Sequence, residues 1–475
     1  MTAQTILPAN TLSSGYDVAN SCIFDRASTD NMTKSMSDGS SIKGTFSAWI
    51  KVDGTGNEMN ILSHFQDTNN VFTISTTGSG VNVVDYNSGY SLQLSTNRLM
   101  RDPSAWFHLY IAIDRSQGTA NNRNRMFING VEETSFSHRT NYSQQTSGSH
   151  QDAISMNDGD CTMYLGGLGD GNQMFGGYLA ELHWIDGTVP AVTEFGEFDE
   201  DSEIWKPKLV SGISYGTNGF YLDFQDASNL GNDANGGTDL TENNIVAVNQ
   251  STDTCTNNFA TMNPLDNYRQ AHAFSDGNLT VTTTNGSQSY STSSILLTSG
   301  KWYVECKPVS GGSEPEIGIA NKMVLLNAGN NAQVSYNANG YGYRASDPGT
   351  VWYNGEYVTN SLVTYANGDI IGIALDLDNN KLYFSKNGTF ANSQDPTDGT
   401  NAVSIIDPAS TEIGGYVFSC NETFNDQNKV FSWNFGSPPY AISSGNTDGN
   451  GHGNFEYAVP SGYLALCTKN LAEFG

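Results

Sequence analysis

The stretch EFGEFDEDSEIWKP (194–207) places six carboxylates within ten positions, and Glu197, Asp199 and Asp201 alternate along it. Alternate residues of a strand face one way, so the row has the layout from which a retaining glycosidase draws its nucleophile and its acid/base. Those two carboxyls must stand about 5–5.5 Å apart, while residues four apart on one strand are separated by roughly 13 Å of backbone. The last acid is a short Asp, and Glu200, Ser202 and Glu203 make both faces polar. A strand polar on both faces is not buried in a sandwich core. The stretch is expected to be an exposed loop, held by Phe195 before it and Trp205-Lys206-Pro207 after it. No catalytic residue is assigned.

Other side chains offer oxygen ligands or stacking surfaces. Asp85 in VVDYNSGY, and Asp158, Asp160 and Asp170 in the DGDC and GLGDGN turns, are the hard ligands that calcium takes. None has EF-hand spacing, and Asp and Asn are ordinary turn residues; no cofactor is required, and calcium stands only as a candidate. Tyr341, Tyr343, Trp352, Tyr353 and Tyr357 lie among Gly and Asn in NANGYGYRASDPGTVWYNGEY (337–357), which reads as loop. Such rings stack on sugars and apolar patches, and neighbouring amides bond hydroxyls. These five, with Asp85, Tyr86, Asn87 and Tyr90, are the candidate ligand-binding residues; against that, part of the aromatic set serves packing. His108 and His183 fall in alternating strands and are expected to be satisfied or at the surface. No G-x-S-x-G elbow is present to activate a serine.

The elements that position these residues are strands. GTFSAWIKV, WFHLYIAID, NRMFINGVE and GYLAELHWID alternate as half-buried strands do, and Asn129-Gly130 carries the hairpin signal. From 226 to 275 the chain turns polar and aperiodic, an extended connector pinned by Ile245, Val246 and Phe259. Strand patterns resume in KWYVECKPV, PEIGIAN, DIIGIALDLD, KLYFSKNG and VFSWNFG, with turns at Asp378-Asn379-Asn380 and Asn387-Gly388. The expected fold is all-β: two antiparallel, jelly-roll-like β-sandwiches in tandem. Boundaries are an N-terminal segment 1–20, a sandwich 21–225, the connector 226–275, a second sandwich 276–437 and a tail 438–475.

Composition limits the partners. Lys+Arg 21 against Asp+Glu 49 leaves a formal charge of −28, which repels nucleic acid and anionic membrane. No run approaches the ~18 apolar residues of a spanning helix, and the first residues have neither the basic nor the apolar region of an ordinary secretory leader. The six cysteines are scattered without metal spacing, as free, buried thiols of a protein made in a reducing cytoplasm would be.

The first half resembles a laminin-G-like, concanavalin A-like lectin sandwich, through FSAWIKV, WFHLYIAIDRSQG with NRMFINGVEE, YLGGLG and FGGYLAELHWIDGTV in that order. The second half resembles a SPRY domain, through GKWYVECKP, GDIIGIALDLDNNKLYFSKNGT and WNFGSPPY. The pair, with FGEFDEDSEIWKP and the tail PSGYLALCTKNL, is similar to tail-fibre or virion proteins of marine bacteriophages. That resemblance implies a non-enzymatic, multicopy or homo-oligomeric virion protein, made in the host cytoplasm and exposed after lysis. It would contact other virion subunits and bind a host-surface glycan or protein. A capsid-decoration or tail-assembly role is the first alternative, and a polysaccharide-degrading enzyme the second.

Overall fold

The computed structural model describes residues 15–54, 58–67, 69–78, 80–147, 154–159, 161–267, 272–285, 289–312, 314–324, 333–346, 348–422 and 428–475. Strand makes up 43% of it and helix 6%, so the chain is all-β. Two compact units meet between Thr256 and Asn257.

In the first unit, β-branched and aromatic residues alternate with polar ones, and the apolar sets of two antiparallel sheets face each other. One sheet runs Val131–Glu132, Asn124–Ile128, Phe107–Asp114, Lys43–Val52, Gly177–Asp186, Ser21–Phe24, Gln250–Ser251; Phe220–Leu222 also pairs with Gly177–Asp186. The other runs Phe136–Thr140, Tyr90–Leu99, Gly80–Asn87, Asn70–Thr77, Met59–Asp67, Thr162–Leu165, Asn31–Ser35, Thr241–Asn243. Phe46, Ile50, Leu109, Ile111 and Leu179 meet Leu62, Phe72, Ile74, Val83 and Leu94 in the core between them. The Asn129-Gly130 hairpin forms as its sequence predicts, with both residues at positive φ (49° and 74°).

The two outer faces differ. Over the sheet built on Gly177–Asp186 lies a cover of Val189, Val192, Phe195, Val210, Ile213 and Tyr215, packed on Tyr110, Phe127 and Ile185. On the outer face of the other sheet Asn60, Ser63, Thr73 and Ser75 are buried, Ser63 donating to the Gly167 carbonyl at 2.7 Å, while Asn82, Val84, Gln93 and Ser95 are part-exposed.

In the second unit a nine-stranded sheet runs Ala273–Ser275, Thr280–Thr282, Val430–Asn434, Lys301–Ser310, Ile371–Asp376, Lys381–Lys386, Thr389–Phe390, with Val403–Ser404 and Leu464–Ala465 joining at its sides. Facing it, a six-stranded sheet runs Tyr290–Thr292, Val417–Asn421, Glu316–Ala320, Gly340–Arg344, Gly349–Tyr353, Glu356–Leu362. The expected turns at Asn380 and Asn387-Gly388 have the positive φ such turns need. No helix among the described residues is long and apolar enough to cross a membrane.

The boundaries differ from the sequence expectation. Residues 226–256 are part of the first sandwich: Leu230, Leu240 and Ile245 enter its core, Thr241–Asn243 forms an edge strand, and Asp253 makes a buried ion pair with Lys51 at 2.7 Å. Residues from 257 belong to the second unit, where Phe259 packs with Phe455, Tyr463 and Cys467 of the tail. The polar spacing hid this, because single apolar anchors separated by side-chain-capped turns leave no periodicity to read. The tail is held by Glu305, which is buried and accepts from the backbone N–H of Glu456 (3.0 Å) and Tyr457 (2.8 Å). All six cysteines are free and buried, as expected.

Candidate functional site

The acidic stretch is a short hairpin, Gly196–Phe198 pairing with Trp205–Pro207. Its acids do not form a row. Asp199 closes the turn, accepting from the N–H of Asp201 (3.2 Å) and Ser202 (3.1 Å) and from Lys206 (3.2 Å); these donors hold its carboxyl below the usual range. Glu197 is exposed, 3.6 Å from Lys206. The anchors are those predicted, Phe195 and Trp205, both buried. The hairpin is part of the cover of the first sandwich.

Under that cover lies a polar cluster that sequence reasoning did not assemble. Ser47 Oγ is 2.8 Å from Nε2 of the buried His108, and Trp205 Nε1 donates to His108 Nδ1 at 3.1 Å. An indole N–H is only a donor, so Nδ1 carries no proton. Burial depresses the imidazole to about 3, so the ring is neutral with its proton on Nε2, which then donates to Ser47. A histidine that donates to a serine is not the base that activates it. His183, depressed to about 3 by burial, lies 2.8 Å from the Tyr215 hydroxyl. Glu181 accepts from Tyr16 (3.1 Å) and Tyr221 (2.8 Å). The crevice lined by Ser47, His108, Glu181 and His183 leaves no room for a water molecule.

The calcium candidates are not gathered. Asp85 points inward, accepting from the Ser155 hydroxyl (2.6 Å) and from Tyr142, and burial raises its pKa. Asp170 caps its own turn through the N–H of Asn172 (2.9 Å). Asp158 lies within electrostatic reach of His64, and Asp160 falls outside the described residues. Among the described residues no three His, Cys, Asp or Glu side chains converge on a common point.

The aromatic candidates divide by strand parity. GYGYR is a strand, Gly340–Arg344, not a loop. Tyr341 and Tyr343 face inward and are buried: Tyr341 stacks on Tyr353 (4.5 Å between centroids), and Tyr343 packs on Tyr365 and Phe384. They are packing residues, a correction to their reading as loop ligands. The intervening Gly342 faces outward, where a Cβ would come within 2.3 Å of the Glu316 carboxylate; that space requirement, not loop flexibility, explains the glycine.

Outward on the next two strands stand Trp352 and Tyr357, cross-strand partners in the hairpin turned by Asn354-Gly355. Their ring centroids are 4.1 Å apart, Tyr357 is 60% exposed, and Trp352 Nε1 is fixed by Thr350 Oγ1 at 2.9 Å. Beside them the Arg344 guanidinium lies 4.3 Å from the Trp352 ring. Arg344 is itself held by the buried Glu316 and by Ser335 (2.7 Å). A buried ion pair thus orders the cation that fixes the inner ring, and the outer ring faces water on the edge strand of its sheet. The Asn-Gly pair was the available signal for this hairpin; nothing in the sequence paired Glu316 with Arg344. In the first sandwich Tyr86 and Tyr90 form a second pair, edge-to-face at 5.1 Å, with Tyr90 54% exposed and Asn87 exposed beside it.

No family model matches the chain, and no curated protein matches it. Among solved structures, the SPRY domain of human HERC1 is similar over 36% of this chain and 96% of that one, at 18% identity and a TM-score of 0.26. A candidate carbohydrate-binding protein of Bacteroides ovatus ATCC 8483 is similar over 49% of this chain and 60% of its own, at 14% identity and a TM-score of 0.34. The SAP-like heptameric pentraxin of Limulus polyphemus is similar over 38% of this chain and 82% of its own, at 13% identity and a TM-score of 0.26.

Proposed function

We propose that this chain is a non-enzymatic virion surface protein that binds a glycan displayed by the host cell. The observation that carries the binding role is the solvent-facing Trp352–Tyr357 pair, ordered from behind by Arg344 and Glu316. Ring faces of this kind stack on the C–H faces of pyranoses, and a pre-ordered ring loses little rotamer freedom on binding. Tyr86 and Tyr90 add a comparable surface. Each site is weak, and copies on one particle supply avidity. The virion setting rests on the order of sequence motifs. The non-enzymatic reading is supported by the His108 tautomer and by Asp199 being committed to its turn.

The test is a glycan array and a cell-adsorption assay with the protein in multivalent form. Trp352→Ala and Tyr357→Ala should each weaken monovalent binding about two- to tenfold. Absence of binding by every multivalent form refutes the reading. A position on the capsid face in a particle image refutes host attachment in favour of a structural role.

A further inference from the structure

Lys51 and Asp253 meet where the first sandwich ends. Lys51 lies in the strand Lys43–Val52, and Asp253 follows the edge strand Gln250–Ser251, 202 residues further along the chain. Lys51 Nζ is 2.7 Å from Asp253 Oδ2, and the two side chains are 0% and 1% exposed. Among the described residues, every other lysine–carboxylate pair keeps its lysine at least 21% exposed. The buried pair of the second unit, Arg344–Glu316, uses a guanidinium, which stays protonated and is no nucleophile. Aromatic side chains close the Lys51 site. The buried Tyr178 ring lies 5.1 Å from Nζ, and Trp106, edge-to-face on Tyr178, donates Nε1–H to Asp253 Oδ1 at 2.9 Å.

We propose that Lys51 and Asp253 condense to an intramolecular isopeptide bond. The proposal stands apart from the glycan-binding reading. The pair starts as ammonium and carboxylate, and a proton passes from Nζ to Oδ2 along their hydrogen bond, giving a neutral amine and a carboxylic acid. Burial assists that transfer, because water no longer solvates the two charges. The Nζ lone pair attacks Cγ, and the carbonyl electrons move onto Oδ1, where the Trp106 N–H is already placed to hold an oxyanion. As those electrons return, the Cγ–Oδ2 bond breaks, and Oδ2 takes a second proton from Nζ and departs as water. Of the three ammonium protons, two leave in that water and one stays on the amide. The pair is neutral overall before and after, and no co-reactant is needed. Sheet packing holds amine and carboxyl close to the near-attack range of about 3–3.5 Å, which replaces an encounter in solution. A site closed to solvent then withholds the water that hydrolysis requires. The bond also has a task in the fold. Gln250–Ser251 pairs with Ser21–Phe24 over two residues only, and all six cysteines are free, so no disulfide ties this last strand down.

The experiment is the intact mass of the unfolded full chain, followed by tryptic digestion. Lys51→Arg keeps a cation for Asp253 but cannot form the amide. Once the difference between the two residues is subtracted, the wild type should be lighter than this variant by one water. Digestion of the wild type should release a branched peptide that joins the segments around Lys51 and Asp253, with fragment ions placing the link at those two side chains. The branched peptide is read from the wild type alone, so it decides the matter even where Lys51→Arg fails to fold. A wild-type mass equal to that of the full sequence, both freshly purified and after prolonged incubation, overturns the bond and leaves an ion pair. A loss of water that persists in Lys51→Arg, or that maps to an aspartyl succinimide elsewhere, overturns it equally.

Discussion

Glu181 offers a sharp test of the energetics. It sits in the strand Gly177–Asp186 where one neighbouring strand, Ser21–Phe24, gives way to another, Phe220–Leu222, and where the register against Lys43–Val52 shifts. At this irregularity its φ is +46°, a left-handed conformation costly for a side chain with a Cβ. The carboxyl is buried, with Tyr16 and Tyr221 as donors, and burial raises its pKa to about 7 from an ordinary 4.5. A folded-state pKa above the unfolded one means that the folded form holds the proton more tightly. Stability from this group is therefore fully present below about pH 4.5 and is lost as pH rises through about 7. The full loss is about 3.4 kcal/mol, a shift of about 2.5 at 1.36 kcal/mol each, and roughly 2.5 kcal/mol of it falls between about pH 5 and pH 8. Glu181→Gln removes the titration and keeps an acceptor for one tyrosine. The difference in unfolding free energy, variant minus wild type, should then rise by about 2.5 kcal/mol over that interval. Urea unfolding of the full chain, read by pulse alkylation of the buried Cys22, Cys161 and Cys255, isolates the first unit from the second. Parallel stability curves for the two proteins would refute the reasoning.

Other consequences are direct. Lys51→Ala leaves the buried Asp253 carboxylate with Trp106 Nε1 at 2.9 Å, and should cost the first unit about 3–5 kcal/mol in the same denaturation assay. Trp205→Phe keeps a ring but removes the donor to His108 Nδ1; a loss of about 1–3 kcal/mol is expected. In the wild type, ¹⁵N NMR should find the His108 proton on Nε2, and a proton on Nδ1 would restore the possibility of a serine–histidine dyad. Arg344→Met strands the buried Glu316 and should cost the second unit about 3–5 kcal/mol, and glycan binding should fall with it as Trp352 loses its support. Glu197→Gln, at an exposed position, should leave both stability and binding unchanged; loss of a polysaccharide-cleaving activity in that variant would revive the enzymatic reading.

What could be read from residue order alone was whatever depends on local pattern. Alternation announced the strands, Asn129-Gly130 and Asn387-Gly388 announced their hairpins, and Phe195 and Trp205 announced the anchors of the acidic hairpin. The same pattern misled where two periodicities overlapped. In GYGYR the glycines suggested a loop, although they lie in a strand, Gly342 crowded by Glu316 and Gly340 by the backbone of Ile319. The polar segment after residue 225 hid its membership of the first sandwich, because isolated anchors such as Leu240 carry no period.

Only the tertiary structure decided which side chains meet. Arg344 and Glu316 are 28 residues apart, His108 and Trp205 97, Glu181 and Tyr16 165. Sheet register, not sequence proximity, brings each pair together. Strand parity then decides which rings reach water, leaving Tyr357 and Tyr90 exposed and Tyr341 and Tyr343 in the core. Residue types set what chemistry the chain could offer; pairing across strands set which of it faces a ligand.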